Sequence, residues 1–139
     1  MIIEGNNFID DRGLIQFFNV FDMSEIKRFY TIFHPNTSIV RAWQGNRIET
    51  RWFYCTQGAF DIRLVKIDDW ESPSDNLNVE KLILNSESPL ILKVASGYVN
   101  GIKAISNNSK LISFSNFRFN ENQNNHFRFD KNKWTNWEE

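Results

Sequence analysis

At 139 residues the chain is near the usual size of one domain and long enough to bury a core without staples, so one domain over 1–139 is expected. Sixteen basic against seventeen acidic residues give a net charge of -1, which supplies no long-range field for DNA or RNA, and no apolar run approaches the roughly 20 residues that span a bilayer. The single cysteine, Cys55, cannot close an internal disulfide and no charged-then-apolar leader opens the sequence, so the expectation is a cytoplasmic protein with no membrane insertion.

Apolar and aromatic residues recur mainly at period two, the spacing of strands rather than helices. Strands are predicted in chain order over 14–20, 27–33, 38–43, 50–56, 59–66, 79–84, 90–94, 98–105 and 110–115. Turn compositions separate them, including Asp11-Arg12-Gly13, His34-Pro35-Asn36, Gln57-Gly58, Ser96-Gly97 and Asn107-Asn108-Ser109. In 59–66, Phe60, Ile62 and Leu64 share one face while Asp61 and Arg63 share the other, which predicts a half-buried strand. Arg51-Trp52-Phe53-Tyr54-Cys55 is bulky on both faces, which predicts cover on both sides, with a second subunit as one source, and hence a homodimer. Residues 120–125 are polar enough for a loop, and Phe127, Phe129, Trp134 and Trp137 beyond them are expected to dock on the body.

Arg41-Ala42-Trp43-Gln44-Gly45-Asn46-Arg47, followed by Cys55-Thr56-Gln57-Gly58-Ala59-Phe60-Asp61, resembles the first cupin motif. Val94-Ala95-Ser96-Gly97-Tyr98-Val99-Asn100-Gly101 resembles the second. With Asp11-Arg12-Gly13 and the ending Asn125-His126-Phe127-Arg128-Phe129-Asp130, the chain is similar to the dTDP-4-dehydrorhamnose 3,5-epimerases and to the shorter dTDP-4-keto-6-deoxyglucose 3,4-ketoisomerases and WxcM-like proteins. The resemblance implies an all-β, cupin-like double-stranded β-helix (jelly roll). It also implies a nucleotide-sugar isomerase or epimerase of bacterial surface-polysaccharide (lipopolysaccharide, O-antigen or capsule) synthesis.

A metal cupin places two His, a Glu and a third His where this chain has Gln44, Asn46, Thr50 and Asn100. Amides and a hydroxyl are weak neutral ligands, so no metal and no other cofactor is expected. The neighbouring carboxylate, Glu49, is one residue off that position and in a regular strand would face the other way. The resemblance further implies a catalytic His where Gln44 stands, a second His at Asn46 in the ketoisomerases and a Tyr acid near Ser113. A neutral amide cannot take a proton from carbon. Arg12, Arg41 and Arg51 match positions that hold substrate, and arginine forks suit a diphosphate.

Plainer readings stand beside these. Arg41 and Arg51 fit ordinary ion pairs, and Gln44, Asn46 and Asn100 fit a hydrogen-bonded polar core. Tyr98 is a general-acid candidate or a tyrosine tip bonded to backbone. His34 reads as a turn residue and His126 as part of the polar tail, each a minor candidate base. Trp43 and Trp52 fit packing better than stacking on a base, and Cys55 reads as a small apolar residue. Two functions follow: an isomerase or epimerase with a rearranged acid–base set in which Glu49 or Tyr98 contributes beside the weak candidates Gln44 and Asn46, or a non-catalytic binder of a nucleotide-diphosphate sugar through Arg12, Arg41, Arg51 and Asn100.

Overall fold

The computed structural model describes residues 1–139, which form twelve strands and one short 3-10 turn. In chain order the strands are β1 (Ile2–Glu4), β2 (Asn6–Asp10), β3 (Gly13–Phe17), β4 (Arg28–His34), β5 (Val40–Asn46) and β6 (Arg51–Gln57). They continue as β7 (Ala59–Lys66), β8 (Val79–Asn85), β9 (Leu90–Val94), β10 (Tyr98–Ala104), β11 (Ser109–Ser115) and β12 (His126–Arg128). One sheet has the order β1-β9-β6-β11-β4, a second has β12-β5-β10-β7-β8, and β2 and β3 form a separate hairpin. Every pairing is antiparallel, and from β4 onward consecutive strands alternate between the two sheets except at the β7–β8 hairpin, as in a cupin-like jelly roll.

Strands β7 and β9 carry the predicted bounds, and β5 runs three residues beyond its predicted end at Trp43. The short strands β1, β2 and β12 carry no alternation long enough to register, and each is defined by the partner it finds. The residues of β7 that alternate inward, Phe60, Ile62 and Leu64, join Phe53, Leu92 and Ile102 in the apolar core between the sheets.

The expectation that β7 is half buried is corrected by the tail. Arg63 on its outer face is 1% exposed. Its guanidinium lies 4.5 Å over the Trp137 ring, its Nη1 donates to Thr135 Oγ1 at 2.6 Å and to the Asn136 carbonyl at 2.8 Å, and Asp61 pairs with it at 2.8 Å. A second cluster of Trp43, Val65, Val99 and Trp137 fills this outer face. Gly101 makes room for it, since a Cβ there would stand 2.5 Å from the Trp137 ring. Trp43 is fully buried in this cluster and its indole N–H donates to the Lys133 carbonyl at 2.8 Å, so it packs rather than stacks on a ligand.

The double-sided burial of β6 also arises within the chain. Phe53 and Cys55 face the core, while Phe18 meets Tyr54 edge-on at 5.1 Å and Phe21 lies 6.4 Å from Trp52 on the other side. The segment after β3 therefore supplies the cover that a second subunit was invoked to provide.

Removing the Trp137 ring empties the outer cluster and strips Arg63 of its aromatic cover. Trp137→Ala is expected to lower unfolding free energy by about 3 to 5 kcal/mol in urea titration, the usual cost of truncating a buried Trp. A loss below about 1 kcal/mol, the scale of a surface change, would show that the tail does not hold this sheet.

Candidate functional site

The interior is not filled evenly, and β11 shows why. Its inward row carries Ser113 and Ser115 where neighbours carry large side chains: Ser113 lies between Tyr30 and Phe53, and Ser115 between Arg28 and Arg51. Two small residues in the middle of a row leave volume above them. A cavity of about 560 Å³ opens at this end of the sandwich.

Its walls come from both sheets. Arg28 and Tyr30 of β4 and Arg51 of β6 line one side, and Gln44 and Asn46 of β5 line the other. The pairing of β12 with β5 sets His126 opposite Asn46 and Arg128 opposite Gln44, so His126 and Arg128 share the cavity face of those amides. The segment before β12 adds Arg118, Phe119 and Asn122. Four guanidinium groups, those of Arg28, Arg51, Arg118 and Arg128, thus face one carboxylate, Glu49.

Glu49 corrects the expectation that it points away. Strand β5 ends at Asn46, whose Oδ1 accepts the backbone N–H groups of Ile48 at 3.0 Å and Glu49 at 3.2 Å. This Asx-type bend breaks strand alternation before β6 begins at Arg51, and it turns the Glu49 carboxylate inward. Its Oε1 accepts from Arg51 Nε at 2.7 Å, with the two side chains 4% and 9% exposed. Arg51 Nη1 donates to Asn100 Oδ1 at 3.4 Å.

Of the residues singled out in the sequence, Gln44, Asn46, Glu49 and Arg51 line this cavity, and Arg41 and Asn100 line a small cleft that continues from it past Tyr30 and Gln44. Arg12 lies elsewhere in the chain, at the turn of the β2–β3 hairpin, with its side chain 79% exposed and paired with Asp10. Tyr98 packs against the apolar core and lines a separate cleft with Lys93 and Glu80. Thr50 donates its N–H to Asn116 Oδ1 at 2.9 Å and is not part of the cavity wall. No three His, Cys, Asp or Glu side chains converge as a metal-holding group.

Sequence reasoning passed over Arg28, Tyr30 and Arg118 and undervalued His126. Arg28 and Tyr30 were visible only as alternate members of a strand, and nothing local distinguished their face from the exposed one of Phe29 and Phe33. Arg28 Nε, Asn122 Nδ2 and Ser113 Oγ are buried without a hydrogen-bond partner. Orphaned polar atoms of this kind are rare in folded proteins, and here two line the cavity and the third sits in its floor row.

Burial, with the guanidinium groups of Arg51 and Arg128, holds His126 below the usual histidine range, and Glu49 opposes this. His34, expected in a turn, is instead the last residue of β4, fully buried and edge-on to Phe60 at 5.4 Å. Burial and then Arg41 lower its pKa. Burial pushes the Cys55 thiol up to about 11, which leaves it protonated and a poor nucleophile.

No family model and no curated protein sequence matches the chain. Solved structures do match. A dTDP-4-dehydrorhamnose 3,5-epimerase from Bacillus anthracis str. Ames, with TDP and PPi bound, superposes with a TM-score of 0.77 at 13% identity, over 94% of this chain and 78% of that one. A dTDP sugar isomerase from Desulfovibrio desulfuricans G20 gives 0.78 at 14% identity, over 99% and 90%. A variant of the 3,4-ketoisomerase QdtA from Thermoanaerobacterium thermosaccharolyticum, in complex with TDP-4-keto-6-deoxyglucose, gives 0.71 at 18% identity, over 93% and 86%. What these proteins share with the chain at such identities is the cupin-like jelly-roll fold.

His34 and His126 are the only histidines, and both resist protonation in the folded state. The unfolded chain therefore binds more protons just below the ordinary histidine pKa of about 6.5, so stability should be full above that pH and fall as pH drops below it. The melting temperature is expected to decline between about pH 6.5 and 5, before carboxylates titrate, with both imidazole NMR titrations centred below about 6.5. A flat melting temperature across that window, or either histidine titrating above it, would contradict the placement.

Proposed function

We propose that the chain is a metal-independent dTDP-keto-sugar isomerase or epimerase, whose cavity holds a nucleotide-diphosphate sugar. The observation that carries this reading is the charge of the cavity: four guanidinium groups face one carboxylate, which is itself consumed by Arg51, and Arg28 Nε is buried with nothing to donate to. An arginine fork with a free donor suits phosphate oxygens, and a diphosphate carries the two or more negative charges that such a wall neutralises. Gln44 and the orphaned Asn122 amide offer donors to sugar hydroxyls, and the TDP seen in fold neighbours supports the same ligand class. Of the original substrate-holding set, Arg51, Arg41 and Asn100 belong to this reading.

The setting follows from the resemblance: one cytoplasmic domain of bacterial surface-polysaccharide synthesis, acting as a homodimer. The hairpin side chains Phe8, Ile9, Leu14 and Ile15 are exposed apolar surface that a second copy would cover. A second reading, non-catalytic binding, is favoured by one observation. The amides Gln44 and Asn46 stand where the resemblance implies histidines, and neither titrates.

Calorimetry with TDP tests the binding. Saturable binding is expected, and Arg28→Ala should weaken it about tenfold or more, because a charge-assisted hydrogen bond is typically worth about 1.5 to 3 kcal/mol. Lys81→Ala, exposed on the edge strand β8 away from both the cavity and the hairpin, should leave the affinity unchanged. Absence of any TDP binding would end the proposal.

A further inference from the structure

Proton transfer next to a sugar ketone needs a base that is unprotonated near neutral pH and has access to the substrate. Gln44 and Asn46 have no such form, the Glu49 carboxylate is tied to Arg51, and Tyr98 lies in another cleft. One titratable imidazole faces the cavity. His126 is half-buried on β12, and its backbone position is set by the pairing with Asn46 at the inner end of β5. The docked tail fixes that strand from the far side: Phe127 lies 5.1 Å from Trp70, and Phe129 and Trp43 exchange backbone hydrogen bonds of 3.0 and 3.1 Å.

We infer that His126, carried by the tail strand rather than by either sequence motif, is the catalytic base of this cavity. The inference rests on the proposed nucleotide-keto-sugar function and names the group that performs its chemistry. An imidazole nitrogen of His126 takes the proton from the carbon beside the ketone. The C–H electron pair becomes the carbon–carbon π bond of an enolate, and the carbonyl π pair moves onto oxygen. The imidazolium then returns a proton to carbon, so the reaction consumes nothing. Its neighbours set the protonation state: burial and the cations Arg51 and Arg128 keep the free ring neutral, while Glu49 steadies the imidazolium once it forms. Arg28 and Tyr30 from β4 and Arg118 from the preceding loop complete the ring of charged and titratable groups around it.

The test uses the whole chain with TDP-4-keto-6-deoxyglucose in deuterated water, following wash-in of deuterium at carbons beside the ketone by NMR, with TDP affinity measured in parallel. The unaltered protein is expected to wash deuterium in. His126→Gln and His126→Asn should bind TDP within about twofold of it but lose wash-in by about 10² to 10⁴-fold, the usual contribution of a positioned base. A second readout needs no substitution. His34 is fully buried, so diethyl pyrocarbonate should acylate His126 first, abolish wash-in, and be slowed by TDP. Wash-in at the original rate in either variant, or after acylation of His126, would overturn the inference. So would a protein that binds TDP but washes in no deuterium, which would leave the binding reading standing. Failure to bind TDP would overturn the reading itself, and the inference with it.

Discussion

Arg51 ties the two sheets together at the point where the interior changes character. It opens β6 in one sheet, is held at Nε by Glu49, and reaches Asn100 on β10 of the other sheet at 3.4 Å. Two residues further along the same inward row stands Phe53, and with it the apolar core begins. A buried guanidinium survives only with its charge matched and its donors used, so removing Glu49 would strand a cation in a largely dry site. The rest of the polar end is organised around that requirement. Once Glu49 is committed to Arg51, it cannot also neutralise Arg28, Arg118 and Arg128, and the net positive charge of the cavity follows.

This explains which parts of the site were legible in the sequence. Arg51 and Asn100 were visible because they sit in regular strands whose alternation gives each side chain a side. Gln44 was also found, although the register of β5 against β10 shifts between Asn100 and Ile102 and places Arg41 and Gln44 on the same cavity side. Glu49 was misread because strand alternation was extended through a bend that Asn46 creates with its own side chain. The distinction was available in principle: Asn followed by a short polar stretch between two strands is a turn signal, and periodicity stops at turns. The jelly roll itself was readable from strand count and motif resemblance, whereas β1 and β12, at three residues each, are defined by distant partners alone, and β2 by the hairpin it closes with β3.

The tail shows the limit most clearly. Its aromatic residues announced docking, but no local pattern tells a docking tail where to land. In the structure it crosses the outer face of the second sheet, buries Arg63 beneath Trp137, and adds β12 to the edge next to β5. One segment thereby covers a sheet face and extends the cavity wall, and the same packing that stabilises the fold positions His126 and Arg128. Fold and site are coupled through the tail, so a loss of aromatic packing at Trp137 or Phe129 reaches the cavity through β12.

The two amides at the positions where the sequence resemblance implies histidines are not equivalent, and the difference bears on what chemistry the site can perform. Gln44 sits on the cavity wall opposite Arg128 and is free to meet a ligand. Asn46 is committed: one oxygen accepts two successive backbone N–H groups, and this bend turns Glu49 toward Arg51. A histidine at position 46 could not reproduce that short two-fold acceptance, because its accepting nitrogen is a single in-plane lone pair on a longer side chain. Glu49 would lose its aim and Arg51 its charge partner. Placing a histidine at position 46 would therefore disturb the Glu49–Arg51 pair that holds the guanidinium from which Arg51 reaches Asn100 on the other sheet. With position 46 occupied by a structural task, a base for proton transfer has to come from an adjacent part of the wall, and β12 is the strand that borders β5 there.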